Sequence, residues 1–185
     1  MKLLLHICCG PCAAPIAHQL LDERVDLTGL FYNPNVHPSM EHFYRRQAAY
    51  LAARCSGYPM VDMPGYEYRE FIRAIVGHEE PEERCPTCYR MRLERAADVA
   101  RDGGFDAFTT TLLVSPHQRH ETIRQVAEAV ADEKDVPFMY RDFRDLWQQT
   151  YELSRKMELY RQKYCGCIYS EEERFRDKTS RVECI

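Results

Sequence analysis

Seven cysteines of this sequence stand in three tight groups, Cys8-Cys9-Gly10-Pro11-Cys12, Cys85-Pro86-Thr87-Cys88 and Cys165-Gly166-Cys167. Thiolate is a soft donor that selects zinc, copper(I) or iron-sulfur clusters. The two-residue gap between Cys85 and Cys88 lets both sulfurs face one metal or cluster, and Cys165 and Cys167 offer two more across a glycine. In the first group, three sulfurs fall at a strand-to-helix turn, where free backbone amides and a helix terminus favour thiolate. A tetrahedral ion uses four ligands. Seven grouped thiols therefore predict a cluster plus a second metal, or a cluster plus redox-active cysteines. The competing reading is one closed zinc site, with the remaining cysteines packed as small apolar groups. Cys55 and Cys184 have no paired cysteine and are expected to pack rather than ligate.

Polar residues at strand ends extend the candidate site. Asn33 and Asn35 bracket Pro34, where their amides either hold a loop or bind a polar ligand. Ser115 and His117 occupy the loop after a strand, a position suited to substrate contact. Glu41 precedes a helix, where it either interacts with the helix amino terminus or passes a proton to substrate. Asp142 could ligate a second metal, transfer a proton or cap the segment that follows it. Arg45, Arg46, Arg90, Arg92, Arg141, Arg144, Arg155, Arg161 and Lys163 supply local positive charge for phosphate. Tyr44, Tyr89, Trp147, Tyr151, Tyr160 and Tyr164 could stack on bases, although their helical spacing makes packing the commoner role. The histidines show no metal-ligand spacing.

These residues need a scaffold that brings distant segments together. Apolar runs predict strands over 2–7, 25–32, 58–63, 105–113 and 137–140. Helical periodicity appears over 13–21, 42–54, 66–76, 89–101, 122–133 and 146–164, with Cys88 at or just before a helix start. Gly103-Gly104 ends one of these helices. Alternating strands and crossover helices argue an α/β fold with a parallel five-stranded sheet and a helical C-terminal part. Ligands of such sheets gather beyond the carboxyl ends of the strands. Cys8-Cys9, Asn33-Pro34-Asn35, Ser115-Pro116 and Asp142 would meet there.

With 185 residues, 45% of them hydrophobic, the chain suits one domain over 1–185, with a highly charged and peripheral tail over 171–185. Its 25 basic and 29 acidic residues give a net charge of -4 and no global attraction to nucleic acid. The apolar run at the amino end is too short for a signal sequence or membrane span, which predicts a cytoplasmic protein without membrane contact. Nine cysteines in such a chain read as metal-binding or redox groups rather than a disulfide scaffold. There is no dinucleotide glycine fingerprint and no Walker-type phosphate loop. The first strand-to-helix turn is filled instead with sulfur and proline, which argues against ATP at that position.

Taken with Thr109-Thr110-Thr111-Leu112, Asp142-Phe143-Arg144 and Tyr160-Arg161-Gln162-Lys163-Tyr164-Cys165-Gly166-Cys167, these motifs resemble the non-cobalamin epoxyqueuosine reductases. The resemblance covers nearly all of the chain up to about Ser170, and all seven grouped cysteines match its motifs. It implies reduction of epoxyqueuosine to queuosine at the wobble base of tRNA, the last step of queuosine biosynthesis. It further implies a [4Fe-4S] cluster, a nearby mononuclear metal expected to be iron, and a low-potential electron donor. The implied sheet is that of the adenine-nucleotide α-hydrolase (HUP) superfamily with ATP chemistry lost from the first loop. Cys8, Cys9, Cys12, Cys85, Cys88, Cys165 and Cys167 are the expected metal ligands, with their division between cluster, second metal and redox role open. Asp142 and Glu41 are the expected proton donors, and Asn33, Asn35, Ser115, His117, Arg144 and Arg161 the expected substrate contacts. The other function classes are a tRNA sulfur-transfer enzyme, which would need ATP, and a non-catalytic iron-sulfur or zinc module. A thiol-disulfide exchange protein fits less well, because it needs only one active pair.

Overall fold

The structure is a computed structural model that describes residues 1–179. Cys184 and the end of the expected 171–185 tail lie outside the described residues. In chain order the elements are β1 (Lys2–His6), α1 (Gly10–Asp22), β2 (Asp26–Leu30), α2 (Ser39–Ser56), β3 (Met60–Val61) and α3 (Tyr68–Ile75). They continue with α4 (Pro81–Asp102), β4 (Ala107–Thr110), α5 (His120–Lys134), α6 (Trp147–Lys156) and α7 (Ile168–Thr179).

The strands form one parallel sheet in the order β3-β2-β1-β4. β1 is central, and Leu3, Leu4, Leu5 and Ile7 are fully buried, as expected of a strand covered on both faces. Right-handed crossovers put α1 and α2 on one face and α4 and α5 on the other. α1 packs against α2 and α6, and α4 packs against α5 and α3. The chain order reverses between β1 and β4, so the crevice beyond His6 and Thr110 is the switch point where ligands of open α/β sheets bind.

Four strands are present where five were expected. The segment over 137–140 is reduced to a single parallel bridge between Phe108 and Phe138. Phe108 N–H bonds to the Pro137 carbonyl at 3.0 Å and Met139 N–H bonds to the Phe108 carbonyl at 2.8 Å. Pro137 brings no N–H of its own, so the ladder has no donor with which to extend backwards.

Two helices also differ from expectation. α4 begins at Pro81 rather than near Tyr89, because Pro81 opens the first turn and Glu82 and Glu83 follow it at the positive end of the helix dipole. Cys85 and Cys88 therefore sit inside the helix, one turn apart. The helix expected over 146–164 stops at Lys156, and Glu158 turns the chain with a φ of 53°. A loop then carries Tyr160 to Cys167 back across the molecule. Residues Ile168–Thr179 form a surface helix, tied to α4 by the ion pair between Glu173 and buried Arg84 at 2.6 Å. Among the described residues, no helix is long and apolar enough to cross a membrane.

Candidate metal centre

The first cysteine group is built by the β1–α1 turn. Cys9 is the extended residue that precedes α1, and Pro11 lies in the first helical turn, so Cys12 comes round beside Cys8 and Cys9. Their three sulfurs lie within 4.8 Å of one another. Gly10 makes this approach workable, since a Cβ there would stand 2.4 Å from the Ala48 carbonyl oxygen of α2.

The thiols of this turn divide in character. Thr111, in the 3-10 turn after β4, accepts from Cys8 N–H at 2.9 Å and donates to Cys8 Sγ at 3.1 Å. Hydrogen bonds from Cys12 first, and then from Cys9, hold the Cys8 thiol well below its usual range. The same bond to Cys8 pushes Cys12 up, and burial pushes Cys9 up.

The second group draws on two elements. Cys85 and Cys88 project from one face of α4, while Cys165 and Cys167 come from the loop before α7. Cys88 and Cys167 pack together with Phe71 and Ile75. Cys85, Cys88, Cys165 and Cys167 are close enough to act electrostatically on one another. Burial raises the Cys85 thiol and pushes Cys88 up to about 12, so loss of their protons at neutral pH requires a metal or another nearby cation.

The loop is held in place by Arg45, which is only 2% exposed. Its guanidinium donates to Glu41 Oε1 at 2.8 Å, to the Cys165 carbonyl at 2.7 Å and to the Tyr164 carbonyl at 3.0 Å. Gly166 has a φ of 150°, and a Cβ there would lie 3.1 Å from Asn35 Nδ2 and 3.3 Å from Arg45 Nη1. The same loop reaches both groups. Gln162 Nε2 donates to Cys9 Sγ at 2.9 Å, and Gln118 Nε2 lies 3.5 Å from Cys165 Sγ. Arg92 of α4 also acts on both sides, being close enough to interact electrostatically with Cys88, Cys165 and Cys8.

A donor set made only of sulfur fits iron-sulfur or zinc chemistry. Among the described residues, the sulfurs that already stand together for a metal are those of Cys8, Cys9 and Cys12. Cys55 lies on an exposed turn of α2 rather than packed in the core.

The polar candidates fall into distinct places. Asn33 and Asn35 are each 1% exposed. Asn33 Nδ2 donates to the Ile7 carbonyl at 2.8 Å, which fixes the β2 loop against β1, while the Oδ1 atoms of both asparagines are buried without a partner. Ser115 is buried and accepts from His117 N–H at 3.3 Å. His117 is exposed and packs edge-on against Trp147. Glu41, in the first turn of α2, accepts from Arg45 and from the Tyr160 hydroxyl.

Asp142 and Arg144 are exposed and paired, with Arg144 Nε 2.9 Å from Asp142 Oδ1. The Arg144 guanidinium beside it holds the Asp142 carboxyl down to about 2. Arg45 and Arg92 are buried and do not face phosphate, contrary to their expected role. Arg46 pairs with Asp62, Arg90 with Glu133 and Arg141 with Glu23. Arg155, Arg161 and Lys163 remain exposed and outside any ion pair among the described residues, and Arg161 lies 4.5 Å over the Tyr151 ring. Thr111, Gln118 and Gln162 have side chains that touch the sulfurs; Thr111 and Gln162 lie in motifs that carry the family resemblance, but their contacts could not be read from spacing because their partners are 47 to 153 residues away.

Residues 3–173 match the family model described as Epoxyqueuosine reductase QueH. The chain belongs to this family. A QueH relative from Dehalococcoides mccartyi is 37% identical over 94% of both chains. Another from Thermotoga maritima is 31% identical over 97% of this chain and 95% of the relative. A third, from Haemophilus influenzae, is 34% identical over 97% of this chain and 76% of its own length. Membership makes this QueH-family chain an oxidoreductase of queuosine biosynthesis. The match spans both cysteine groups and stops before Cys184. A solved structure described as a predicted subunit of tRNA methyltransferase from Methanocaldococcus jannaschii superposes with a TM-score of 0.53 at 13% identity, covering 84% of this chain and 76% of that one. That likeness concerns the fold alone, which is the parallel α/β architecture described above.

Proposed function

We propose that this enzyme reduces epoxyqueuosine to queuosine at the wobble position of tRNA, with its seven grouped cysteines holding a [4Fe-4S] cluster and an adjacent mononuclear iron. The observation that carries the reading is the meeting of an all-sulfur donor set with the switch-point crevice of a QueH-family sheet. Removing the epoxide oxygen as water and leaving an alkene takes two electrons and two protons. When bound, the metal centre supplies low-potential electrons from an external donor and a Lewis acid for the epoxide oxygen.

The chain's own residues bind, orient and protonate. The unpartnered Oδ1 atoms of Asn33 and Asn35 are candidate acceptors for substrate hydroxyl or amine groups. Ser115 and His117 line the neighbouring loop, and Arg161 meets the phosphate backbone from the rim. Glu41 and the Tyr160 hydroxyl bonded to it form the proton-handling pair. Asp142 acts as an acceptor that orients Arg144 at the rim, a narrower role than proton donation.

Anaerobic reconstitution should give about four cluster irons and four sulfides per chain, with further metal at a separate site. Incubation with epoxyqueuosine-containing tRNA and a low-potential donor, without ATP, should yield a nucleoside that has lost one oxygen. Cys85→Ala and Cys88→Ala should each lower turnover more than about 100-fold, whereas Cys55→Ala should leave it intact. Absence of product from spectroscopically intact protein would reject the assignment, and product formed only with ATP would favour sulfur transfer.

A further inference from the structure

Three arginines are buried among the described residues, and two of them have carboxylate partners. Arg45 pairs with Glu41 at 2.8 Å and Arg84 with Glu173 at 2.6 Å. Arg92, 2% exposed, has none. Its Nε donates to the Cys88 carbonyl at 3.1 Å, its guanidinium lies 5.6 Å from the Tyr89 ring centre, and its Nη2 has no partner. A buried cation with an unpartnered Nη2 is costly to keep unless an anion completes it.

The position of Arg92 says which anion. It follows Cys88 by four residues on α4, so the two side chains share a helix face, and its charge reaches Cys165 and Cys8 as well. One buried positive charge, anchored at the Cys88 carbonyl, therefore acts on thiols that come from the β1–α1 turn, from α4 and from the C-terminal loop. Thiolate ligands outnumber the charge of the metal they hold, so a loaded site carries net negative charge. Guanidinium is suited to meet it, since it stays protonated and spreads its donors in a plane.

We infer that Arg92 is the shared counter-charge of the two cysteine groups, a positioning residue whose free guanidinium edge stabilises the negative charge of the thiolate-bound centre and raises its reduction potential. The inference rests on the reading that the cysteines hold a redox metal centre. Removing a nearby positive charge disfavours the state that gains an electron, so the midpoint should fall when Arg92 is neutralised.

The test compares wild type with Arg92→Met and Arg92→Lys, each reconstituted anaerobically and checked for iron and sulfide before measurement. In EPR-monitored redox titrations the Arg92→Met midpoint should lie at least about 60 mV below wild type, a tenfold change in a one-electron equilibrium. Arg92→Lys should recover most of that difference. Metal-free Arg92→Met, kept reduced, should melt at or above the metal-free wild type, because an uncompensated buried charge has been removed. Competition against a chromophoric chelator should show zinc held about tenfold more weakly by Arg92→Met, a measurement that needs no iron-sulfur cluster. An unchanged midpoint in cluster-loaded Arg92→Met, or equal zinc affinity, overturns the inference. Metal-free Arg92→Met melting well below wild type would also overturn it, by showing a purely structural role. Failure of the wild type to assemble a cluster would instead defeat the proposed function, and the zinc and melting comparisons would still decide the role of Arg92.

Discussion

His6 is the side chain whose surroundings most directly couple the site to pH. It is fully buried in β1, its Nε2–H donates to the Tyr32 carbonyl at 3.0 Å, and its Nδ1 accepts from the Thr110 hydroxyl at 2.8 Å. Burial first, and the Arg92 charge second, lower it from 6.5 to about 4. The unfolded chain therefore takes up the proton more readily than the folded one between those values. Stability from the neutral ring is complete above pH 6.5 and is lost as pH falls toward 4, by about 2 kcal/mol at pH 5. Burial lowers His42 to about 4 in the same way, which adds to the trend. Metal-free, reduced protein should melt markedly lower at pH 5 than at pH 7.5, with a flatter profile in His6→Asn; equal melting temperatures in wild type would refute this account. At this scale the grouping of Cys8, Cys9 and Cys12, whose sulfurs lie within 4.8 Å of one another, was legible because their spacing is local. The atoms that bond to the cysteine sulfurs, from Thr111, Gln118 and Gln162, belong to segments that only tertiary structure brings near.

Gly10 shows how the packing of two elements constrains the site. It opens α1 where that helix meets α2, and any side chain would push against the Ala48 carbonyl, which is backbone and cannot rotate away. Gly10→Ala should cost about 1–3 kcal/mol by overpacking. It should also displace Cys9 and Cys12, so the metal content of reconstituted protein should fall along with the melting temperature. A variant with wild-type stability and metal would show that α1 can shift freely. The helix and strand periodicities were legible for β1, α1, β2, α2 and α5. The fifth strand was over-read because its apolar residues pack as well beside a single bridge as in a ladder, and Phe138 lies 5.2 Å from Phe108 in that position. The long C-terminal helix was over-read because nothing in the local pattern announces the turn at Glu158. The turn itself is closed locally, by Leu159 N–H to the Ser154 carbonyl at 2.8 Å and Glu158 N–H to the Arg155 carbonyl at 3.2 Å, and Arg45, Glu41 and His37 then hold the loop that follows.

Across the whole molecule, charge is arranged so that RNA attraction must be local. The net charge is -4, and most surface arginines are already paired with carboxylates. Arg155, Arg161 and Lys163 are exposed, free of ion pairs among the described residues, and interleaved with the exposed rings of Tyr151 and Tyr160 on the segment leading to Cys165. Affinity for tRNA should therefore fall with salt, and replacing all three by alanine should flatten the log-log slope by about 2 if each contacts one phosphate of a single-stranded loop. Binding that ignores salt would remove this segment from the interface. The parallel sheet and its switch point were legible from the alternation of strands and helices, since that order admits few topologies. Which arginines remain free was not, because pairing depends on side chains far apart in sequence. The pinning of the Tyr164 and Cys165 carbonyls by Arg45 also has a meaning in time. The β1–α1 thiols leave the ribosome first, and at about 5–20 residues per second the last pair follows roughly 8–30 seconds later. Until then α4 has no Cys167 to pack on Cys88, and the early cysteines meet any metal as an open turn. The full set of seven grouped thiols is a property of the finished chain, so a metal that needs both groups would have to enter after synthesis of the loop rather than during it.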